Sequence, residues 1–227
     1  MYRPSEAVKA RLFTALCIVV AACGAHRRVG PPPETSGFLD DYSLLREGDA
    51  GELGLVYHNP AASWRQYHAV LLEPVTLWRS GRKSLEPVPK EDLLRLITDF
   101  QGAVRTRLGE DFQFVDRPGP DVLRIRLGIT DARAADPVLD VLTATRGTGR
   151  PHPAGDGPLD PETRKFLESA AIEGEIRDAA TNVLLAEGVA HRRSDAPPLE
   201  TWADVNRALI FWVNRVCTRL ESRTGAR

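Results

Sequence analysis

Cysteine is nearly absent from this chain. Cys17, Cys23 and Cys217 serve 227 positions, which excludes a small disulfide scaffold, and their spacing matches no paired metal site. Long apolar runs are absent as well. A membrane-spanning helix needs roughly 18 to 20 apolar residues, and the uncharged apolar run Leu12 to Ala22 would reach only about 16 Å as a helix. Neither sign of charge is in excess: 30 Lys and Arg stand against 31 Asp and Glu. The arginines are interspersed with acids, so no basic patch points to nucleic acid. The chain also lacks a Gly-rich phosphate loop, a Cys-x-x-Cys pair, a His-Glu-x-x-His helix and a Gly-x-Ser-x-Gly elbow. His58, His68, His152 and His191 are scattered without ligand spacing. No catalytic residue, cofactor or metal ligand is expected on this basis, and an enzymatic role is disfavoured.

What is present begins with an address. Met1 to Arg11 carries Arg3, Lys9 and Arg11 against Glu6, an apolar stretch follows, and small residues lead into Cys23. That is the layout of a secretory signal over residues 1–22. Val20-Ala21-Ala22-Cys23 resembles a bacterial lipobox, with Val at the position where Leu is usual. The resemblance implies cleavage between Ala22 and Cys23, a diacylglyceryl thioether on Cys23 and further acylation of the new amino terminus, for example by palmitate. Two or more acyl chains hold a protein stably at a bilayer, where one does not. The open alternative is an ordinary small-x-small cleavage site at Val20 and Ala22, which would release a soluble periplasmic protein. Gly24, where Asp would favour inner-membrane retention in such lipoproteins, points to the outer membrane. Loss of residues 1–22 would leave 205 residues and take the formal charge from −1 to −3. Cys217 would then be the only thiol besides the anchor, and its place on the apolar side of a helix reads as core.

Residues 23–35 follow as a lipidated cysteine and a tether. With Arg27, Arg28 and Pro31-Pro32-Pro33, this stretch has too little apolar surface to fold and favours extended polyproline. Residues 36–222 are read as one domain. Ser36 to Leu45 is too apolar for free linker and is expected to lie irregularly against that domain. Ala69 to Trp78 reads as a strand, placed at an edge or bulged because Pro74 cannot donate to a ladder. Pro89 to Leu108 is a helix with Leu93, Ile97, Phe100, Val104 and Leu108 on one face. Phe112 and Phe114 begin a short strand, and Leu123, Ile125, Leu127 and Ile129 alternate with Arg124 and Arg126 in a half-buried one. Val138 to Thr145 is ambiguous between helix and strand. Gly147 to Pro161 is a loop rich in Gly and Pro, and Phe166 to Ala171 is a short strand or helical turn.

Ile172 to Asp178 and Val183 to Arg192 form a hairpin. Asp178 and Asn182 supply its turn chemistry. Thr201 caps the helix 201–221, with Asp204 able to reach back. Its buried stripe is Trp202, Val205, Leu209, Trp212, Val216 and Leu220, beside Val213 and Cys217. Phe211 falls on the polar side of that helix. It is a candidate partner contact, although a single exposed apolar residue is ordinary. The one constellation with chemical potential is Glu173 and Glu175 on a hairpin face with Glu187 and His191 on the partner strand. Such a face is usually the solvent side, with Ile172 and Ile176 inward. No metal or acid–base site is assigned to it.

Several stretches together resemble a family of bacterial envelope lipoproteins described only as a domain of unknown function. They are Ser36 to Leu45, Tyr67 to Trp78 with Glu73-Pro-Val-Thr-Leu-Trp78, Pro118 to Ala132, Ile172 to Asp178, and Thr201-Trp-Ala-Asp-Val205 with Phe211-Trp212. The chain departs at the hairpin turn, with Asp178-Ala-Ala-Thr181-Asn182 where the family tends to have Asp-Ser-x-Thr-Gly. The resemblance implies a fold and an address but no activity. The expected fold is α+β: an antiparallel-rich sheet with two main helices on one face, preceded by signal and tether. The expected function is that of an outer-membrane-anchored lipoprotein facing the periplasm. It would be held in the bilayer through Cys23 and act as a non-catalytic binding or assembly module for an envelope protein partner. The alternative is a periplasmic enzyme or small-ligand binder with a pocket near the 136–160 loop.

Overall fold

The alternation that reads half-buried between Val122 and Asp131 builds the central strand of the sheet. The computed structural model describes residues 35–49, 53–78, 88–131, 141–143, 157–192 and 196–226, all within the compact unit Pro32–Arg227. Ala22, Cys23 and the tether up to Glu34 lie outside them. Among the described residues there are nine strands: β1 (Arg46–Glu47), β2 (Leu55–His58), β3 (Ala69–Leu72), β4 (Thr76–Trp78), β5 (Gln113–Phe114), β6 (Val122–Asp131), β7 (Val141–Thr143), β8 (Ala170–Asp178) and β9 (Leu184–His191). Three helices accompany them: α1 (Lys90–Leu108), α2 (Pro161–Ser169) and α3 (Trp202–Thr224). The sheet order is β1-β2-β9-β8-β6-β3-β5, with β4 also pairing β6 and β7 beyond it. Five pairings are antiparallel; those of β3 and β4 with β6, and of β3 with β5, are parallel. The expected antiparallel-rich α+β architecture is the one observed. Its parallel part follows from α1, which carries the chain from β4 back to β5 and β6.

Odd residues of β6 face the helices. Leu123, Ile125, Leu127 and Ile129 join Val70, Leu77, Ile97, Phe100, Val205, Leu209 and Val213 in one main core. α1 and α3 are amphipathic and pack on this face, linked by the edge-to-face pair Phe100–Trp212 at 5.4 Å and by the Arg107–Glu221 ion pair. The stripe on α3 is centred one residue from its expected place: Val213 and Cys217 are fully buried, while Trp212 and Val216 are half-buried.

Pro74 sits in a bulge, one of the two places its missing donor allows. β3 pairs Leu72 with Ile125, and β4 pairs Thr76 with Gly128, so 73–75 oppose only Arg126 and Leu127. The Val75 amide that this kink frees donates to Oε1 of buried Gln101 at 2.6 Å. The extra residue also reverses the strand's parity. Val70 points to the helices before the bulge, and Val75 and Leu77 do so after it. Trp78 is thereby turned to the opposite face, where it packs with the second core cluster of Phe38, Leu39, Ala171 and Val189.

Helix starts and turns obey local chemistry. Thr201 and Asp204 form a capping box, with Asp204 N donating to Thr201 Oγ1 at 3.3 Å and Thr201 N to Asp204 Oδ2 at 2.9 Å. At the hairpin turn, Asp178 accepts from the amides of Ala180 and Thr181, and Asn182 takes φ 61°. α2 corrects one expectation. Composition predicts loop up to Pro161 and then a short strand or helical turn over Phe166 to Ala171; the helical alternative holds for Phe166–Ser169, but the helix starts earlier than expected. Asp160 accepts from the amides of Glu162 and Thr163, Pro161 opens the first turn, and Phe166 and Leu167 are buried.

Candidate functional site

The sheet has two faces, and each carries a feature of functional interest. The first is the hairpin face. Glu173, Glu175 and Glu187 lie on it as expected, but the face is not solvent-exposed. Their exposures are 3%, 3% and 4%. Residues 36–45 form a strap across it. The Tyr42 hydroxyl is the strap's hub: it donates to Glu173 Oε2 at 2.6 Å and accepts from the amides of Phe38 and Leu39 at 3.1 and 3.2 Å. Thr130 Oγ1 donates to the other Glu173 oxygen at 2.7 Å. Trp78 Nε1 donates to the Ser36 carbonyl at 3.0 Å. Arg126 lies over the Phe38 ring at 4.6 Å and donates to the Phe38 carbonyl at 2.8 Å. Arg126 also pairs with Glu175, as does Arg177, which reaches Asp40 of the strap at 2.7 Å. Of the two arginines on β6, Arg126 thus binds the strap to the sheet, while Arg124 pairs with Glu73.

This network shifts several ionisations. Burial, with the hydrogen bond to Glu173, pushes the Tyr42 phenol up to about 12. Burial would raise Asp178, yet donors on Thr181, Tyr67 and Ala180 hold its carboxyl below the ordinary range. Glu187 is the exception. It pairs across the hairpin with Glu175, neither of its oxygens has a hydrogen-bond partner among the described residues, and burial and the Glu175 charge push it up to about 7. His191 is exposed, opposite Ala171, and does not join the carboxylates. Among the described residues no group of three or more His, Cys, Asp and Glu is arranged to hold a metal ion.

The second feature lies on the other face, between α3 and the strands β2, β9 and β8. A cleft holds a cavity of about 110 Å³ walled by Val56, Trp64, Leu127, Trp212, Val216 and Leu220. The indole Nε1–H of Trp212 is buried there with no acceptor among the described residues. Arg215, Arg219 and Arg223, each one turn further along α3, also border it. A shallower polar hollow of about 480 Å³ lies alongside, lined by Arg46, Glu47, Asp49 and Asn59. The two share His58, Trp64 and Arg223, and the Arg223 guanidinium sits 5.7 Å over the Trp64 ring.

Of the residues singled out in the sequence, Ala22 and Cys23 lie outside the described residues, as does most of the 136–160 loop. Phe211 is 67% exposed, and its neighbour Ile210, unremarked in the sequence, is 52% exposed. Cys217 is buried at 4%, and burial pushes its thiol up to about 12. Sequence reasoning missed Tyr42, Thr130 and the cleft residues Trp64 and Val216. Periodicity marks Val216 only as part of a buried stripe, and no local pattern marks the others, because each acquires its role through pairing distant in sequence. No helix among the described residues is long and apolar enough to cross a membrane.

Comparison with known proteins places these features in a family. A family model described as "Protein of unknown function (DUF3313)" matches residues 34–216. The uncharacterized lipoprotein YdcL of Escherichia coli K12 is 26% identical over 174 residues, covering 74% of this chain and 75% of that protein, and the same protein of strain O157:H7 matches equally. Among solved structures, a PelC dodecamer from Paraburkholderia phytofirmans covers 76% of this chain and 98% of that one. At 11% identity and a TM-score of 0.30, that likeness is too weak to bear on fold or function.

Proposed function

The chain belongs to this family of unknown function and is similar to a bacterial lipoprotein. On that footing we propose that it is itself lipid-anchored through Cys23, in the outer membrane and facing the periplasm. There it serves as a non-catalytic binding or assembly module. The observation that carries the binding role is the division between the two faces. The carboxylates that could do acid–base work are closed under the strap, with Glu173 and Glu175 held in pairs. The cleft on the other face is walled by apolar side chains, which support binding by excluding water rather than by proton transfer. Phe211 and Ile210, exposed side by side on α3, supply an apolar contact for an envelope protein partner.

The anchor is tested by comparing wild type with Cys23→Ala in cells given labelled palmitate. Wild type should take up label and sediment with outer membranes, and the variant should do neither. Unlabelled wild type that stays in the soluble fraction, as the variant does, would replace the lipoprotein with a plainly secreted protein.

A further inference from the structure

We propose that the strap of residues 36–45 is a pH-operated latch. Ionisation of Glu187 beneath it loosens the strap from the sheet and opens the face that carries Glu173, Glu175 and Glu187. This goes beyond the binding-module reading and does not depend on it.

The strap can leave without unravelling the sheet. Residues 36–45 belong to none of the strands. Among the described residues, their bonds to the sheet run through side chains: Tyr42 to Glu173, Trp78 to the Ser36 carbonyl, Arg126 to the Phe38 carbonyl and Arg177 to Asp40. Opening the strap therefore costs those bonds and the packing of Phe38 and Leu39 on Ala171 and Val189. It leaves the ladder pairs of β8 with β6 and β9 unbroken, as a local opening requires.

Glu187 is placed where that opening meets a charge. It stands on β9 between Glu175 of β8 and Tyr57 of β2, two residues from Val189, which packs with Phe38 and Leu39. It is 4% exposed, and neither of its oxygens has a hydrogen-bond partner among the described residues. The neighbouring acids are provided for: Glu173 accepts from Tyr42 and Thr130, and Glu175 pairs with Arg126 and Arg177. The charges facing Glu187 are Glu175 and Arg177 from β8 and Asp40 and Asp41 from the strap. Tyr57 is the titratable group from β2, and His191, on the same strand as Glu187, lies at its exposed end. Only Arg177 opposes the like charges, and it is already bound by Glu175 and Asp40.

A buried carboxylate without donors is costly, and such a group escapes the cost by keeping its proton. Burial and the Glu175 charge accordingly push Glu187 up to about 7. An open strap readmits water and takes Asp40 and Asp41 away, so the open form holds the proton less tightly. Linkage is reciprocal: because the closed strap favours the proton, the proton favours the closed strap. The closed form has the raised value, so this support is complete below the ordinary 4.5 and is lost as the pH rises through 7.

Hydrogen exchange of the full chain carrying Cys23→Ala tests the latch, read by mass spectrometry on peptides spanning 36–45 and, for reference, α1, from pH 5 to pH 9. Exchange times are rescaled for the intrinsic rate at each pH. Protection of the strap should stay below that of α1 throughout, fall at least tenfold between pH 5 and pH 8, and level off above. Glu187→Gln should hold the strap within about twofold of its pH 5 protection over the whole range. Strap protection that is constant with pH, that matches α1 at every pH, or that falls as far in a folded Glu187→Gln would each overturn the proposal. If Glu187→Gln does not fold, Asp41→Asn decides. It removes a like charge while keeping an acceptor for the Ser43 amide, so the fall should be complete at a lower pH, and an unmoved fall would overturn the latch. None of these outcomes bears on the anchor at Cys23.

Discussion

At the scale of single residues, Glu187 departs furthest from ordinary behaviour. Its carboxyl is 4% exposed, faces Glu175 across the hairpin, and has Asp40 and Asp41 of the strap nearby, with Arg177 giving partial relief. Its folded value of about 7 stands above the ordinary 4.5. Between those values the folded chain keeps a proton that the unfolded chain releases. The stabilisation is therefore complete below pH 4.5 and is lost as the pH rises through 7. Glu187→Gln should stabilise the protein by on the order of 1–2 kcal/mol at pH 8 and leave it nearly unchanged at pH 4, read by urea unfolding at both. An equal effect at the two pH values would mean that folding leaves the ionisation of Glu187 unshifted.

At the scale of elements, the strap against the sheet is the least ordinary feature. Phe38 closes over Gly128, where an added Cβ would stand 2.6 Å from the ring, so only glycine leaves room for it. Gly128→Ala should cost about 1–3 kcal/mol by forcing the Phe38 ring out, and should open 36–45 to protease while the hairpin stays protected. A variant as stable and as protease-resistant as wild type would show that the ring yields without loss. What the sequence disclosed at this scale followed its local signals. The α1 face from Leu93 to Leu108, the alternation in β6, the Asn182 turn and the Thr201 box each lie within a few residues of what determines them. So does the bulge at Pro74, since a missing N–H is a property of one residue. α2 escaped because Gly and Pro around it read as loop, although Asp160-Pro161 is a helix start. The exposure of the hairpin carboxylates was misread for a different reason. Alternation identifies which residues share a face, but the element covering that face is 131 residues away in the Tyr42–Glu173 bond. The cleft was invisible for the same reason, as Trp64 and Val216 meet only in the folded sheet.

At the scale of the whole molecule, the core is continuous from α1 through β6 to α3, and Cys217 sits inside it. A thiol that is 4% exposed and titrates near 12 is almost wholly protonated at neutral pH. Labelling at Cys217, mapped by peptide mass, should therefore be negligible in the native chain. It should accelerate with denaturant in step with global unfolding, and be immediate in the unfolded chain. Rapid labelling under native conditions would indicate that α3 lifts from the sheet on its own.

The strap also has a mechanical consequence. The chain preceding it joins the fold through Thr35 and Ser36, so tension drawn from that side is delivered first to the Ser36 carbonyl and the Tyr42 hub. The bonds made there, to Trp78, Glu173 and Arg126, fasten the strap to β4, β8 and β6. A pull therefore reaches β4, β8 and β6 together instead of peeling one strand from an edge. Were the domain held at Cys23, as proposed, such a pull would load three strands at once.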